Sequence, residues 1–593
     1  MRERRLENRG SVSGAGRLPS FVRAGRRRTL QAALVLWWLA GVCNAAQRPA
    51  MEMRAETYRI SGVVVDAMTG APVPGAELWT TGDVEVKTVA DGEGRFAFEG
   101  VEAGKYPLNA TAPGYVKEGY NQHGSFFTGT AVGSGLDSEH VVFKLHRQAV
   151  IYGRVSDERG DGVRRATVWL FAENVQYGKH AVTVQTQMQT NDLGAYRFAH
   201  LMPGKYYVGV MARPWWAEMG LKYQAKAQTD SGSGIVARSP EAVTASDAMF
   251  DVVYPVTFFA GATEDVGAVP LMAKAGDAIE ANVQLMAVPS VHVLLTNMDV
   301  FKRKGQNLNV FAVQKPFGAT NVPVNVNSTE IGAGVYEVGG LPPGEVRLSV
   351  NRGGDSEWDS HGIRLNAVEG ESVDATTKTA TSSVSGVVVA AEGSKEEIQG
   401  EVVLRSAEDE ASSARLRKDG TFRIPAVEEG TYEVFVNTRR NGDYVAKVVG
   451  SGAKVTGRTV KIEGASEVRL TVTLGKGLGR VEGVVKMDGK AAAGAMVLMV
   501  PAAAGLSGDE IEQLVRMDQS DSDGTFTLGG VVPGKYLLLA IEDGWELEWK
   551  DESVLAPYQE KGVKVEIGAG EEKSVAVEGV KRREELKSEK VKP

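Results

Sequence analysis

The chain has 593 residues, more than one hydrophobic core can serve, because single cores stop growing near ~250–300 residues. Its composition is globular, 43% hydrophobic and 24% charged, but its 70 glycines are well above the usual share of about 7% and demand many turns. Lys plus Arg number 67 against 75 for Asp plus Glu, a net charge of -8, and much of the positive charge sits at the two ends, which argues against a nucleic-acid partner. A single cysteine, Cys43, excludes a disulfide framework and any Cys-rich metal site.

In chain order, residues 1–28 carry nine arginines and lead into the apolar run Leu30–Val42. A basic arm followed by a short greasy core reads as an export signal over 1–46, with cleavage after Ala45 or Ala46. An uncleaved anchor is the alternative, although the run is shorter than the ~20 residues a spanning helix needs. Lipidation at Cys43 is a third reading, weakened by Val42 where a lipobox wants a small residue. Arg27-Arg28 resembles a twin-arginine signal only slightly, because Gln31 interrupts the apolar pair. No later apolar stretch reaches spanning length, so the mature chain is expected to be exported without a transmembrane span: periplasmic, at the cell surface or extracellular.

From Gly94 onward a frame recurs five times. Gly94-x-Phe96-x-Phe98 is followed by Gly104-x-Tyr106. The same spacing returns at Gly194-x-Tyr196-x-Phe198 with Gly204-x-Tyr206, at Gly334-x-Tyr336-x-Val338 with Gly344-x-Val346, at Gly420-x-Phe422-x-Ile424 with Gly430-x-Tyr432, and at Gly524-x-Phe526-x-Leu528 with Gly534-x-Tyr536. The paired glycines are always ten apart. The apolar residues between them have a period of two, which puts them on one face of a strand. Upstream of every unit except the third lies a strand, turn and strand signature, strongest in Ile60-Ser-Gly62-Val and weaker around Gly153, Gly386 and Gly483. Short strands with frequent turns predict an all-β chain of about five antiparallel sandwiches, immunoglobulin-like or prealbumin-like. Ser507–Arg516 is the one convincing short helix.

The string Ile60-x-Gly62-x-Val64, Thr69-Gly70, Pro72, Gly75-Ala76, Asp91-Gly-x-Gly94-x-Phe96-x-Phe98, Gly104-x-Tyr106, Ala112-Pro-Gly114-Tyr115 resembles the carboxypeptidase regulatory-like domain. The resemblance implies a seven-stranded transthyretin-like sandwich of about 80–100 residues without a catalytic constellation. It is strong in the first unit, good in the second, fourth and fifth, and limited to the second half of the third. Equivalent first glycines lie 100, 140, 86 and 104 residues apart, so the second interval demands an insertion. The expected layout is sandwich one over 55–147, sandwich two over 148–288 with an insertion at about 213–275, a degenerate sandwich three over 289–379, sandwich four over 380–476, sandwich five over 478–580, and a charged tail over 581–593.

Chemistry leaves little trace. None of His123, His140, His146, His180, His200, His292 and His361 has the helical His/Glu spacing of a zinc peptidase, and each reads as a solvated or strand-face histidine. A Gly-x-Ser-x-Gly elbow and a phosphate-cradling loop are both absent. No enzyme activity, cofactor or metal is therefore assigned. Asp518, Asp521 and Asp523 before Gly524 form a weak calcium candidate, but Asp and Gly also suit an ordinary turn there. Trp215, Trp216, Tyr254, Phe258 and Phe259 fall outside the repeat frame and are the candidate ligand-binding residues, able to stack on sugars or peptide side chains; the alternative is a satellite core under the insertion. Tyr120, Phe126, Phe127, Trp545 and Trp549 pose the same choice.

The expectation is a non-catalytic binding or structural protein of the bacterial cell envelope, taking a glycan or an envelope protein through the second sandwich and its insertion. The alternative is an accessory or scaffold subunit of a secreted hydrolase or an outer-membrane uptake system. A pure spacer predicts a rod. A hydrolase predicts a side-chain triad converging from different parts of the chain.

Overall fold

The computed structural model describes residues 56–583 apart from 82–85, 177, 218–248, 303–307, 319–320, 353–359, 377–381, 391–396, 407–410, 439–441, 465 and 503–510. The expected leader with Cys43, and the tail from 584, lie outside the described residues. Five separate apolar cores, one per repeat, make five sandwiches. In the first, one sheet orders Arg95–Val101, Tyr58–Asp66 and Val141–Leu145. The other orders Lys87–Val89, Glu77–Thr80 and Gly104–Thr111, the last also carrying the short edge strands Glu118–Gly119 and Gly129–Val132.

The recurring frame has a packing cause. At Gly94, with φ +75°, a Cβ would lie 2.6 Å from the Val64 carbonyl oxygen. Only glycine therefore closes the turn that sends Phe96 and Phe98 into the core. Ten residues on, the Tyr106 ring lies over Gly104, 3.6 Å from where a Cβ would stand, and its hydroxyl donates to the Glu102 carbonyl at 3.1 Å. Tyr206, Tyr432 and Tyr536 repeat this bond to Met202, Glu428 and Val532. The second glycine and the tyrosine are thus one device, a ring laid over the turn and tied back to it.

The sandwiches depart from the expected purely antiparallel pattern in one respect. The first and last strands of each run side by side in the same direction, as in Tyr58–Asp66 with Val141–Leu145 and Ser382–Ala390 with Glu467–Lys476. Two neighbours of one sheet that start and finish a module must be joined by the rest of its chain, and such a crossover permits parallel pairing. Gly62 lies where this last strand arrives: a Cβ there would sit 1.9 Å from the Val141 carbonyl oxygen. Pairing opposite Phe96, Tyr196, Phe422 and Phe526 puts Gly62, Gly153, Gly386 and Gly483 at one structural position. In the third module Leu295 stands opposite Tyr336 instead, and the parallel contact shrinks to Leu294–Thr296 with Ser372–Asp374.

The insertion in the second module ends earlier than the glycine spacing suggests. Thr257–Phe258 and Leu271–Ala273 both pair with Gly204–Met211, as Glu118–Gly119 and Gly129–Val132 pair with Gly104–Thr111 in the first. Residues 257–273 are therefore ordinary edge strands, and the extra chain is confined to 212–256. Ser507–Arg516 contributes only Ile511–Leu514 as described helix. The longer helix Glu552–Gln559 is capped by Asp551, which accepts from the Ser553 N–H.

The modules are not an open rod. Where the first module hands over to the second, buried Asp66 accepts from Nε of Arg147, the first module's last residue, at 2.6 Å and from the Tyr115 hydroxyl. Burial alone would raise its pKa, but Arg147, the backbone N–H groups and Tyr115 outweigh burial and hold it well below the usual carboxylate range. The fifth module returns to the first: Lys105 Nζ meets Asp521 at 2.6 Å and Gln519 Nε2 donates to the Asn121 carbonyl at 2.6 Å. His123 and Phe126 rest on the Trp545 ring, each 5.1 Å between centroids. The fifth module also meets the tip of the second module's long hairpin Thr167–Gln176/Lys179–Gln189, where Lys550 N–H donates to the Gly178 carbonyl.

Candidate binding site

The seam between the second and third modules brings aromatic and charged groups together. Trp169, Phe171, Tyr207 and Phe258 project from the outer face of the second module's sheet and bury against Val322 and Phe317 of the third. The Phe317 ring is 5.2 Å from Phe171, 4.9 Å from Tyr207 and 5.5 Å from Phe258. Its backbone is left-handed, φ 58°, and its N–H donates to the Asp265 carboxylate. Phe317 is thus a plug held by a carboxylate from the opposite module.

Open clefts flank this plug. The wider, about 770 Å³, is lined by Pro255, Val256 and Phe258 and has Glu264, Lys315 and Arg364 at its polar wall. Arg364 Nε pairs with Glu345 at 3.5 Å. The narrower is lined by Pro214, Tyr254 and Pro342 among others, and Val256 and Gln314 face both clefts. Gln314 Oε1 is itself buried and accepts no hydrogen bond.

The five predicted aromatic residues do not form one platform. Phe258, 2% exposed, belongs to the seam, and Tyr254, 5% exposed, to the core of the second module. Trp216 and Phe259 pack partly buried against that same core. Phe258 lies in an edge strand with a counterpart in the first module, but its burial comes from the third module docking on it. Trp215 alone of the five presents its ring, 78% exposed. It stands edge-on to Trp216 at 5.8 Å, and Trp216 carries the Arg159 guanidinium 5.3 Å from its ring.

The three aspartates do not converge on an ion. Asp518 accepts from the Thr527 and Gln519 N–H groups, and burial pushes its carboxyl above the ordinary value despite them. Asp521 is taken by Lys105 and the Gly129 N–H, and Asp523 by Thr525. Among the described residues no cluster of His, Cys, Asp or Glu is arranged to hold a metal ion.

A constellation that sequence reading missed lies at the start of the third module. Val252–Val253 pairs with Val288–Pro289 and so sets Asp251 beside Ser290 and His292. His292 Nδ1 lies 2.6 Å from Glu337 Oε1, and Nε2 lies 3.0 Å from Asp251 Oδ1 and 3.2 Å from Ser290 Oγ. The acid, imidazole and hydroxyl order is that of a nucleophilic triad. Two features oppose that use: Ser290 and His292 are buried, and both ring nitrogens face carboxylates, which leaves neither free to act as base. His292 is thus neither solvated nor an ordinary strand-face residue as expected, but the centre of a buried clamp between the end of the insertion and the third module.

These features define a class, a string of mutually docked sandwiches with one ligand-sized cleft at a module seam. Within it, residues 59–125 match the carboxypeptidase regulatory-like domain family. No curated protein matches the sequence. Solved structures with similarity include the Streptococcal ancillary pilin, 15% identical over 49% of this chain and 98% of that one, TM-score 0.18. The minor pilin GBS52 of Streptococcus agalactiae is 11% identical over 39% and 97%, TM-score 0.19. BcpA, the major pilin subunit of Bacillus cereus, is 12% identical over 56% and 100%, TM-score 0.13. At such scores the whole assemblies do not superpose. Among the described residues no helix is long and apolar enough to cross a membrane.

Proposed function

We propose that this protein is an exported, non-catalytic binding and structural protein of the bacterial cell envelope, and that it takes a glycan or an extended segment of an envelope protein along the seam between its second and third modules. The observation that carries the reading is the cleft of about 770 Å³ at this seam, whose walls combine proline and aromatic surface with Gln314, Glu264, Lys315 and Arg364. Apolar walls with a few convergent polar groups are the usual make-up of a ligand site, and Trp215 at the near end offers an exposed ring for stacking. The docked modules support the structural half of the reading, since they fix the seam instead of leaving it between swinging beads.

The test is binding of the purified protein to glycan arrays and to immobilised envelope fractions, repeated with Gln314→Leu and Trp215→Ala. A ligand retained by the wild type and weakened about tenfold by either substitution supports the site. Retention unaffected by both places binding elsewhere, and uniformly blank arrays and fractions overturn the binding half of the proposal.

A further inference from the structure

The turn Asp521–Asp523 of the fifth module does for the first module what a neighbouring strand would do. Gly129–Val132 pairs with Gly104–Thr111 on one side only. The outward groups of Gly129 and Ala131 form an open sheet edge, the kind of surface that recruits another chain. Here that edge is filled: Gly129 N–H donates to Asp521 Oδ1 at 2.9 Å, Ser522 N–H donates to the Gly129 carbonyl at 2.9 Å, and Ala131 N–H donates to Ser522 Oγ at 2.8 Å. Lys105, nearly half exposed, neutralises Asp521 beside it.

We propose that this docking is exchangeable between copies, so that the fifth module of one chain seats on the first and second modules of another. The occupant is a second copy because the complement this edge takes among the described residues is the chain's own turn. In a reciprocal pair every contact of the fifth module with the first and second is kept, the change falling at a hinge between modules, and the choice between the two forms depends on effective concentration against chain concentration. The contact is also built to open. It joins hydrogen bonds and one part-exposed ion pair to a small aromatic contact of His123 and Phe126 on Trp545, the mixed, largely polar make-up of a reversible interface between domains.

Charge reversal tests this directly. Lys105→Glu alone sets two carboxylates together, and Asp521→Lys alone sets two ammonium groups together, so each single variant is expected as a monomer with a larger radius of gyration than the wild type. Lys105→Glu/Asp521→Lys in one chain restores the attraction and the compact radius. Mixing the two single variants sets the introduced glutamate of one chain against the introduced lysine of the other, while the native Lys105 and Asp521 meet in the reciprocal contact, so light scattering should show a doubled mass found in neither alone. A mixture that stays monomeric while the double variant recovers compactness overturns exchange, as does a single variant that keeps the wild-type radius. Should a charge variant fail to fold, Ala131→Cys and Ser522→Cys chains, each with Cys43→Ser, are mixed under mild oxidation. A disulfide-linked pair of the two chains supports exchange, and its absence refutes it.

Discussion

Gly386→Ala and Gly464→Ala, both in the fourth module, separate two reasons for being glycine. At Gly386 the backbone is not left-handed, but a Cβ would stand 2.1 Å from the Leu470 carbonyl oxygen and 2.9 Å from Phe422 Cε1. Ordinary contact needs more than about 3 Å, so the strand Glu467–Lys476 must move outward by about 1 Å along the parallel ladder that runs from Ser383 opposite Glu467 to Ala390 opposite Leu474. Overpacking of this kind costs about 1–3 kcal/mol, and weakening even one or two ladder bonds adds about 1 kcal/mol each. Roughly 3 kcal/mol follows. Gly464, at φ +63°, has nothing within 4 Å of its would-be Cβ, so Gly464→Ala carries only the left-handed penalty, about 1–2 kcal/mol. Because five modules need not unfold together, the assay is hydrogen exchange on peptides from the fourth module, read beside urea unfolding of the whole chain. Gly386→Ala should accelerate exchange across Ser382–Ala390 and Glu467–Lys476 far more than Gly464→Ala does. Equal effects would refute the close-approach explanation for the repeated upstream glycine.

Three further outcomes follow from named contacts. His292→Gln leaves buried Asp251 and Glu337 without the imidazole that bridges them and should destabilise the third module by about 3–5 kcal/mol, against about 1 kcal/mol for Ser290→Ala; urea unfolding compares them, and loss of a hydrolytic activity in Ser290→Ala would revive the triad. His146, in the short link between the first two modules, is raised above its ordinary pKa by the hydrogen bond to Glu118 at 2.9 Å. Its stabilisation is therefore full below about pH 6.5 and fades as pH rises through the raised value, a slope in melting temperature that His146→Gln should remove. Phe258→Ala should cost about 3–5 kcal/mol, whereas Trp215→Ala should leave the melting temperature within a degree or two.

What could be read from the sequence was local. A glycine that must close a turn, a tyrosine two places after another glycine, and alternating apolar residues are all decided within one strand and its hairpin, so the five copies stand out without knowledge of their neighbours. The first half of the third module escaped because Leu295 replaces the upstream glycine, and with it goes the longer parallel ladder that glycine permits. The helix Glu552–Gln559 escaped because Pro557 inside it argues against a helix, while its buried pair, Leu555 and Tyr558, is too short a pattern to overrule that. The contacts between modules were out of reach for a different reason. Asp521 and Ser522 look like any turn, and Lys105 like any surface lysine, until the fold brings them together across more than 400 residues of chain. His292 shows the same limit, since its partners Asp251 and Glu337 lie on different elements.

Repetition in this chain is confined to the core strands, and difference is concentrated at the sheet edges, where a sandwich meets its surroundings. After the frame tyrosine the modules diverge. The first adds two short strands whose outer side takes the Asp521 turn. The second spends 212–256 before its equivalent strands and thereby gains Asp251 for the clamp on His292. In the third, Ser360–Ala367 extends the sheet of Gly344–Arg352. In the fourth, the corresponding strand Asp443–Ser451 crosses to the opposite sheet and pairs with Glu467–Lys476. A core fixed by glycine and tyrosine accepts such changes because each variant strand still turns apolar residues into it, Ile363, Leu365 and Ala367 in the third module and Val445 and Val448 in the fourth. The edges, in turn, determine which module docks on which. Identical beads would have given interchangeable neighbours, whereas five edges of different build give the first module one complementary surface, the fifth module's turn, and leave a seam with clefts between the second and third.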